Sequence, residues 1–100
     1  MVSLFALYRR PADEAAFLDY YRNHHVPLAR TMPGLLSLEW GHPSALAPGE
    51  SAEWYIVAEM RFANRAAMDA ALASSEGRAA LRDVQQFAGN LVTMRVVNWE

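Results

Sequence analysis

The chain contains no cysteine. That excludes a disulfide frame, a thiolate nucleophile, Cys-ligated zinc and iron–sulfur clusters. No apolar run approaches the length of a membrane span. Neither sign of charge dominates: nine basic and eleven acidic residues leave a formal net charge of -2, with a pI of about 5.9. Nucleic acid and an anionic membrane surface are therefore not expected partners. The basic residues are scattered, and Arg9-Arg10 is the one adjacent pair. There is no glycine-rich phosphate loop, no repeat and no low-complexity tract. At the N-terminus an apolar segment, Val2 to Leu7, precedes Arg9-Arg10, the reverse of a signal peptide. A soluble cytoplasmic protein is the default expectation. What is present is ordinary for a compact domain: 53% apolar and 20% charged residues over a length of 100, enough for a single domain, residues 1–100, and no second one.

The most unusual stretch is Tyr20 to Gly34. It holds two of the three histidines, His24 and His25, and two of the four tyrosines, Tyr20 and Tyr21, with Pro27 just behind and Pro33-Gly34 closing it. Asp13 suits a helix N-cap, with Glu14 in the first turn where its charge favours the dipole. The helix then carries Phe17, Leu18, Tyr20, Tyr21, His24, His25 and Leu28 on one broad stripe. Pro27 cannot donate to residue 23 and pushes Val26 from helical angles, so a kink is expected beside the histidines, or a stop with Pro27 opening a second short turn.

Alternating apolar residues predict four strands: Val2 to Tyr8, Leu35 to His42, Glu53 to Phe62 and Leu91 to Trp99. Asn64 caps a short Ala-rich helix, and Ser74 or Ser75 caps another that ends at Gly89-Asn90. Pro43 to Ala52 is a loop. The order β-α-β-β-α-β is the ferredoxin-like split βαβ arrangement, an α+β fold with a four-stranded antiparallel sheet. The third strand shows Trp54, Ile56, Ala58, Met60 and Phe62 on one face, while the other still carries Tyr55 and Val57. An uncovered sheet face of that kind would be sticky, so a face-to-face homodimer is expected.

With these residues placed, the chain resembles the EthD family (ethyl tert-butyl ether degradation), a branch of the dimeric α+β barrel group. The resemblance spans nearly the whole chain. It rests on Leu4-Phe5-Ala6-Leu7-Tyr8-Arg9-Arg10-Pro11, Phe17, Tyr21 with His25-Val26-Pro27-Leu28-Ala29-Arg30, Met32-Pro33-Gly34-Leu35, Tyr55 to Glu59, Ser75-Glu76-Gly77 and Phe87-Ala88-Gly89. It implies a dimer and a pocket in each subunit between sheet and helices. His25 matches the family's helix histidine, and Tyr21 its aromatic one turn earlier. The wider group includes lactone isomerases, cofactor-free monooxygenases, polyketide cyclases and haem proteins, whose haem would sit on such a histidine. Fold analogy alone does not transfer any of these functions.

Tyr21 and His25, at i and i+4, share a helix face. A near-neutral histidine can take and return a proton while a tyrosine donates to a developing oxyanion. The pair fits proton abstraction beside a carbonyl in a small oxygenated, mostly apolar ligand, with no cofactor; Phe17, Trp40, Tyr55 and Glu59 are expected to line the pocket. The structural account is that His25 caps carbonyls freed by Pro27. His24 reads as a partly buried structural residue. A metal held by His24 and His25 is not expected, because adjacent helical residues do not face one ligand site. Glu59 is either an ion-pair partner of Arg61 or, if unpaired, a base with a raised pKa.

Overall fold

The computed structural model describes residues 1–100. Four strands, β1 (Val2–Tyr8), β2 (Ser37–Gly41), β3 (Ile56–Phe62) and β4 (Val92–Asn98), form one antiparallel sheet in the order β2-β3-β1-β4. Helices α1 (Glu14–Tyr20), α2 (Val26–Ala29), α3 (Arg65–Ala73) and α4 (Ser75–Ala88) complete the α+β, ferredoxin-like architecture. No helix is long and apolar enough to cross a membrane.

Register decides which residues meet. Leu4 lies opposite Met60 and Val96, and Ala6 opposite Ala58 and Met94. Cross-strand partners point the same way, so Val2, Leu4, Ala6 and Tyr8 join Ile56, Ala58, Met60 and Phe62 under the helices, all of them buried. Phe17, Tyr21, Val26, Ala29, Met68, Ala71, Ala80, Val84 and Ala88 complete that core from the helix side. The opposite face has no cover and carries Phe5, Leu7, Val57 and Val97, all half-buried, among Glu39, Glu59, Arg61 and Arg95.

The caps follow local chemistry. Asp13 accepts from the Ala16 amide at 3.1 Å, and Asn64 from that of Ala67 at 2.8 Å. Of the two serines, Ser74 is the cap of α4: its hydroxyl accepts from the Gly77 amide at 3.0 Å and donates to the Ala71 carbonyl at 2.5 Å. One side chain thus closes α3 and opens α4. The strands are shorter than the alternation suggests. Leu35 and Leu36 precede β2, with Leu36 exposed, and Glu53, Trp54 and Tyr55 precede β3. Periodicity extends into flanking residues outside the regular ladder, of which Leu36 and Tyr55 still donate to the Arg61 and Tyr8 carbonyls at 2.8 and 2.7 Å.

Candidate functional site

The first helix does not kink at Pro27; it widens before it. Residues Tyr21–His25 form a π turn in which the Val26 amide donates to the Tyr21 carbonyl. Pro27 then opens α2 from its first turn. Its ring would crowd the carbonyl four residues back, and it has no N–H to offer there; one wide turn upstream accommodates both defects. Such turns are frequent at functional sites. The wide turn keeps Tyr21 and His25 on one face, with ring centroids 5.8 Å apart. Both are buried. His24 is swung outward: it is exposed, with its ring 4.7 Å from that of Tyr20. The expectation that His24 is partly buried is therefore corrected. A uniform helical stripe cannot survive a change in residues per turn.

His25 does not cap a backbone carbonyl. Its Nδ1 lies 2.8 Å from Oδ2 of Asp83, a buried residue of α4. A carboxylate only accepts, so Nδ1 carries the proton and Nε2 keeps its lone pair. Asp83 also accepts, at Oδ1, from the Tyr20 hydroxyl at 2.5 Å. Phe87, one turn further along α4, packs on both rings, 4.8 Å from His25 and 5.1 Å from Tyr20. Burial holds the His25 pKa below its usual value, against the opposing pull of Asp83, so the ring is neutral near pH 7. Every buried side-chain nitrogen or oxygen has a hydrogen-bond partner. Nε2 makes no hydrogen bond, so it must reach open space.

His25 borders a cavity between the sheet and the helices, of about 30 Å³, together with Tyr8, Ala29, Met60, Ala80 and Val84 among others. The cavity seats one or two water molecules or a small chemical group. No arginine borders it, and a haem macrocycle with two propionates does not fit a space of this size and polarity. Tyr21 does not border the cavity. Its hydroxyl faces that of Tyr8, which does, and burial pushes both phenols well above the usual tyrosine range. The pair stays protonated and can only donate or accept a hydrogen bond.

The remaining expected residues gather away from the cavity beside His25. Phe17 stacks on Tyr21 at 6.2 Å and meets Tyr55 edge-on at 6.3 Å; Trp40 packs edge-on against Tyr21 at 5.0 Å. They wall the aromatic cluster behind Tyr21, not the cavity beside His25. Glu59 is on the open face, where its carboxylate accepts from Ser3 at 2.7 Å and from Arg61 at 3.0 Å. The Ser3 hydrogen bond, seconded by Arg61, holds its pKa below the usual carboxylate value. With Trp40, Phe5, Glu39 and Val57 it borders a shallow depression of about 390 Å³, so two of the residues expected to line a pocket share this one, away from His25. Nowhere do three His, Cys, Asp or Glu side chains gather as a metal site would need.

The residue missed from sequence is Asp83. A signal existed: it falls on the inner stripe of α4 with Gly77, Ala80, Val84 and Phe87, where an unpaired carboxylate would be costly. Gly77 sets how closely that stripe approaches, since a Cβ there would stand 2.0 Å from the Ala71 carbonyl oxygen.

Comparison with known proteins identifies the family and the fold. A family model described as EthD domain matches residues 9–90, a span that includes Tyr20, Tyr21, His25 and Asp83. An uncharacterized 11.0 kDa protein of Rhodococcus erythropolis, from the thcB-thcC intergenic region, is 36% identical over 94 residues, covering 94% of this chain and 90% of that protein. The crystal structure of an EthD family protein from Bacillus halodurans superposes with a TM-score of 0.93 at 33% identity, over 100% of this chain and 99% of that one. A dimeric ferredoxin-like protein from Jannaschia shares the fold, with a TM-score of 0.69 at 16% identity over 98% of both chains. So does an antibiotic biosynthesis monooxygenase, with a TM-score of 0.62 at 17% identity over 100% of this chain and 99% of that one. With the family model spanning most of the chain and the Bacillus structure superposing end to end, this protein is a member of the EthD family.

Proposed function

We propose that this protein is a cofactor-independent acid–base enzyme acting on a small, mostly apolar, oxygenated molecule, with His25 as the proton-transferring group. The observation that carries the reading is the Asp83–His25 contact of 2.8 Å, which fixes the tautomer and leaves Nε2 free at a cavity. Nε2 takes a proton from a carbon beside a carbonyl. The C–H electron pair delocalises as an enolate, and Nε2–H returns the proton to the same or a neighbouring carbon. Asp83 stabilises the transient imidazolium, as an orienting carboxylate does in other His-based sites. Tyr8, backed by Tyr21, donates to the enolate oxygen. The cavity accepts the reacting group, and the apolar body of the substrate lies toward its mouth.

The protein acts as a homodimer in this reading. The uncovered sheet face with Phe5, Leu7, Val57 and Val97 supports it, as do the dimeric proteins that share the fold. Sedimentation is expected to give a mass near twice 11.2 kDa, and a monomer at micromolar concentration would contradict it. A purely accessory role is disfavoured by the buried carboxylate behind His25, which backbone capping would not need.

The test is His25→Ala assayed against a panel of lactones and hydroxy-aromatics in D2O. Turnover and solvent deuterium incorporation are expected to vanish while the dimer persists; unchanged turnover rejects the proposal. A second reading, oxygenation of the same carbanion by dioxygen, draws support from the fold shared with the monooxygenase. Oxygen consumption in the same assays separates the two, and haemin titration, expected to give no Soret shift, tests the cofactor-free reading.

A further inference from the structure

Tyr20 belongs to no part of the core, yet its hydroxyl is committed to the carboxylate that holds His25. The ring is 36% exposed. A tyrosine so placed can hydrogen-bond water at little cost, but it donates instead into Asp83 Oδ1 at 2.5 Å. Tilted contacts of the same ring with His24 and Phe87, at 4.7 and 5.1 Å, hold it in that position. The carboxylate is thereby shared, one oxygen to a phenol and one to an imidazole.

We propose that Tyr20 is a positioning residue that sets the basicity of His25 through Asp83. This rests on His25 being the proton-transferring group. A buried carboxylate that accepts from the imidazole alone would pull a proton onto the ring more strongly than one shared with a second donor. A phenol bonded to the second oxygen takes up part of that negative charge. The pull on His25 weakens, and the ring remains neutral and ready to accept a proton. Burial first, and the neighbouring His24 to a smaller extent, also disfavour the charged ring, but neither acts on the Asp83 carboxylate as Tyr20 does. His24 lies beside His25 on the π turn, Tyr21 on the same turn is buried and protonated, and Tyr8 faces it from β1. The nearby cation, Arg30, acts on Tyr21 and is bonded to the Leu38 carbonyl at 3.1 Å. The hydrogen bond to Asp83 pushes Tyr20 itself up to about 12, so it remains a donor throughout the working range.

The experiment is a 15N NMR titration of the three histidines in the full-length protein, with His25 assigned from the spectrum of His25→Ala. Tyr20→Phe keeps the ring and its contacts and removes only the hydroxyl. It is expected to raise the His25 pKa by about half a unit or more, with His24 and His42 unmoved. Asp83→Asn is expected to lower it. The acid limb of kcat/KM in Tyr20→Phe should move up by the same amount at unchanged KM. An unaltered His25 titration in Tyr20→Phe overturns the proposal and leaves Tyr20 as packing alone. If the titration moves but His25→Ala affects no turnover, the positioning role stands and the enzymatic reading falls.

Discussion

The two faces of the sheet each carry one carboxylate in a hydrogen-bonded chain, and the chains end differently. On the open face, Trp99 Nε1 donates to Ser3 at 2.7 Å, Ser3 donates to Glu59 at 2.7 Å, and Arg61 closes the chain at 3.0 Å. Every member has its complement there, and the permanent cation leaves Glu59 no proton chemistry near neutral pH. Under the helices, Tyr20 and His25 both end on Asp83, and the imidazole has a second nitrogen with no partner. A carboxylate answered by arginine is a structural pair. One answered by a neutral histidine beside a cavity retains unused capacity, and that makes the covered face the candidate site.

The covered face can be broken most thoroughly at Gly77. Gly77→Ala drives a methyl into the Ala71 backbone, and α4 must move together with Asp83. The loss is expected at or above the usual overpacking range of about 1–3 kcal/mol, read by urea unfolding, with turnover lost as well. Asp83→Asn comes next. It keeps the shape but replaces a charged acceptor by an amide, at about 1–3 kcal/mol of stability, and should lower kcat by roughly 10²–10⁴. Retained activity would show that His25 works without its carboxylate.

A pH series sharpens the comparison further. The native His25 pKa lies below that of the unfolded chain, so protonation favours unfolding. Stability should begin to fall as pH drops below about 6.5, and His25→Ala should remove that first decline. Glu59, also depressed, adds stability that is present above about 4.5 and lost as pH falls further. Its decline is expected in a separate, lower window and should disappear in Glu59→Gln. The smallest effect belongs to Arg61→Gln. The arginine is exposed, so removing the pair should cost at most about 1 kcal/mol and leave turnover intact. A large loss of activity would mean that the open face contributes to the chemistry.

Much of this arrangement was legible beforehand. Period-two alternation marked all four strands, and Asp13, Asn64 and the Ser74-Ser75 pair announced the helix starts, because a cap is a local contract between a side chain and amides three residues on; the structure chose Ser74 of the two. Pro27 announced a disturbance near His25, though not its form: the chain widened to a π turn, and that choice decided that His25 faces inward and His24 outward. Trp40 and Phe17 were expected to line the pocket beside His25; they pack on Tyr21 instead, a placement not legible locally because their neighbours come from different elements.

The amino-acid order by itself determined the elements, their caps, the division of the sheet into two faces and the family to which the chain resembles itself, all of which rest on contacts or patterns within a few residues. Only the tertiary structure decided the site. His25 and Asp83 are 58 residues apart, and Tyr20 and Asp83 are 63 apart. Nothing local to either partner specifies the other. The pairing arises because α4 packs across the π turn at a distance set by Gly77, and there a buried carboxylate must find donors or pay the full cost of desolvation.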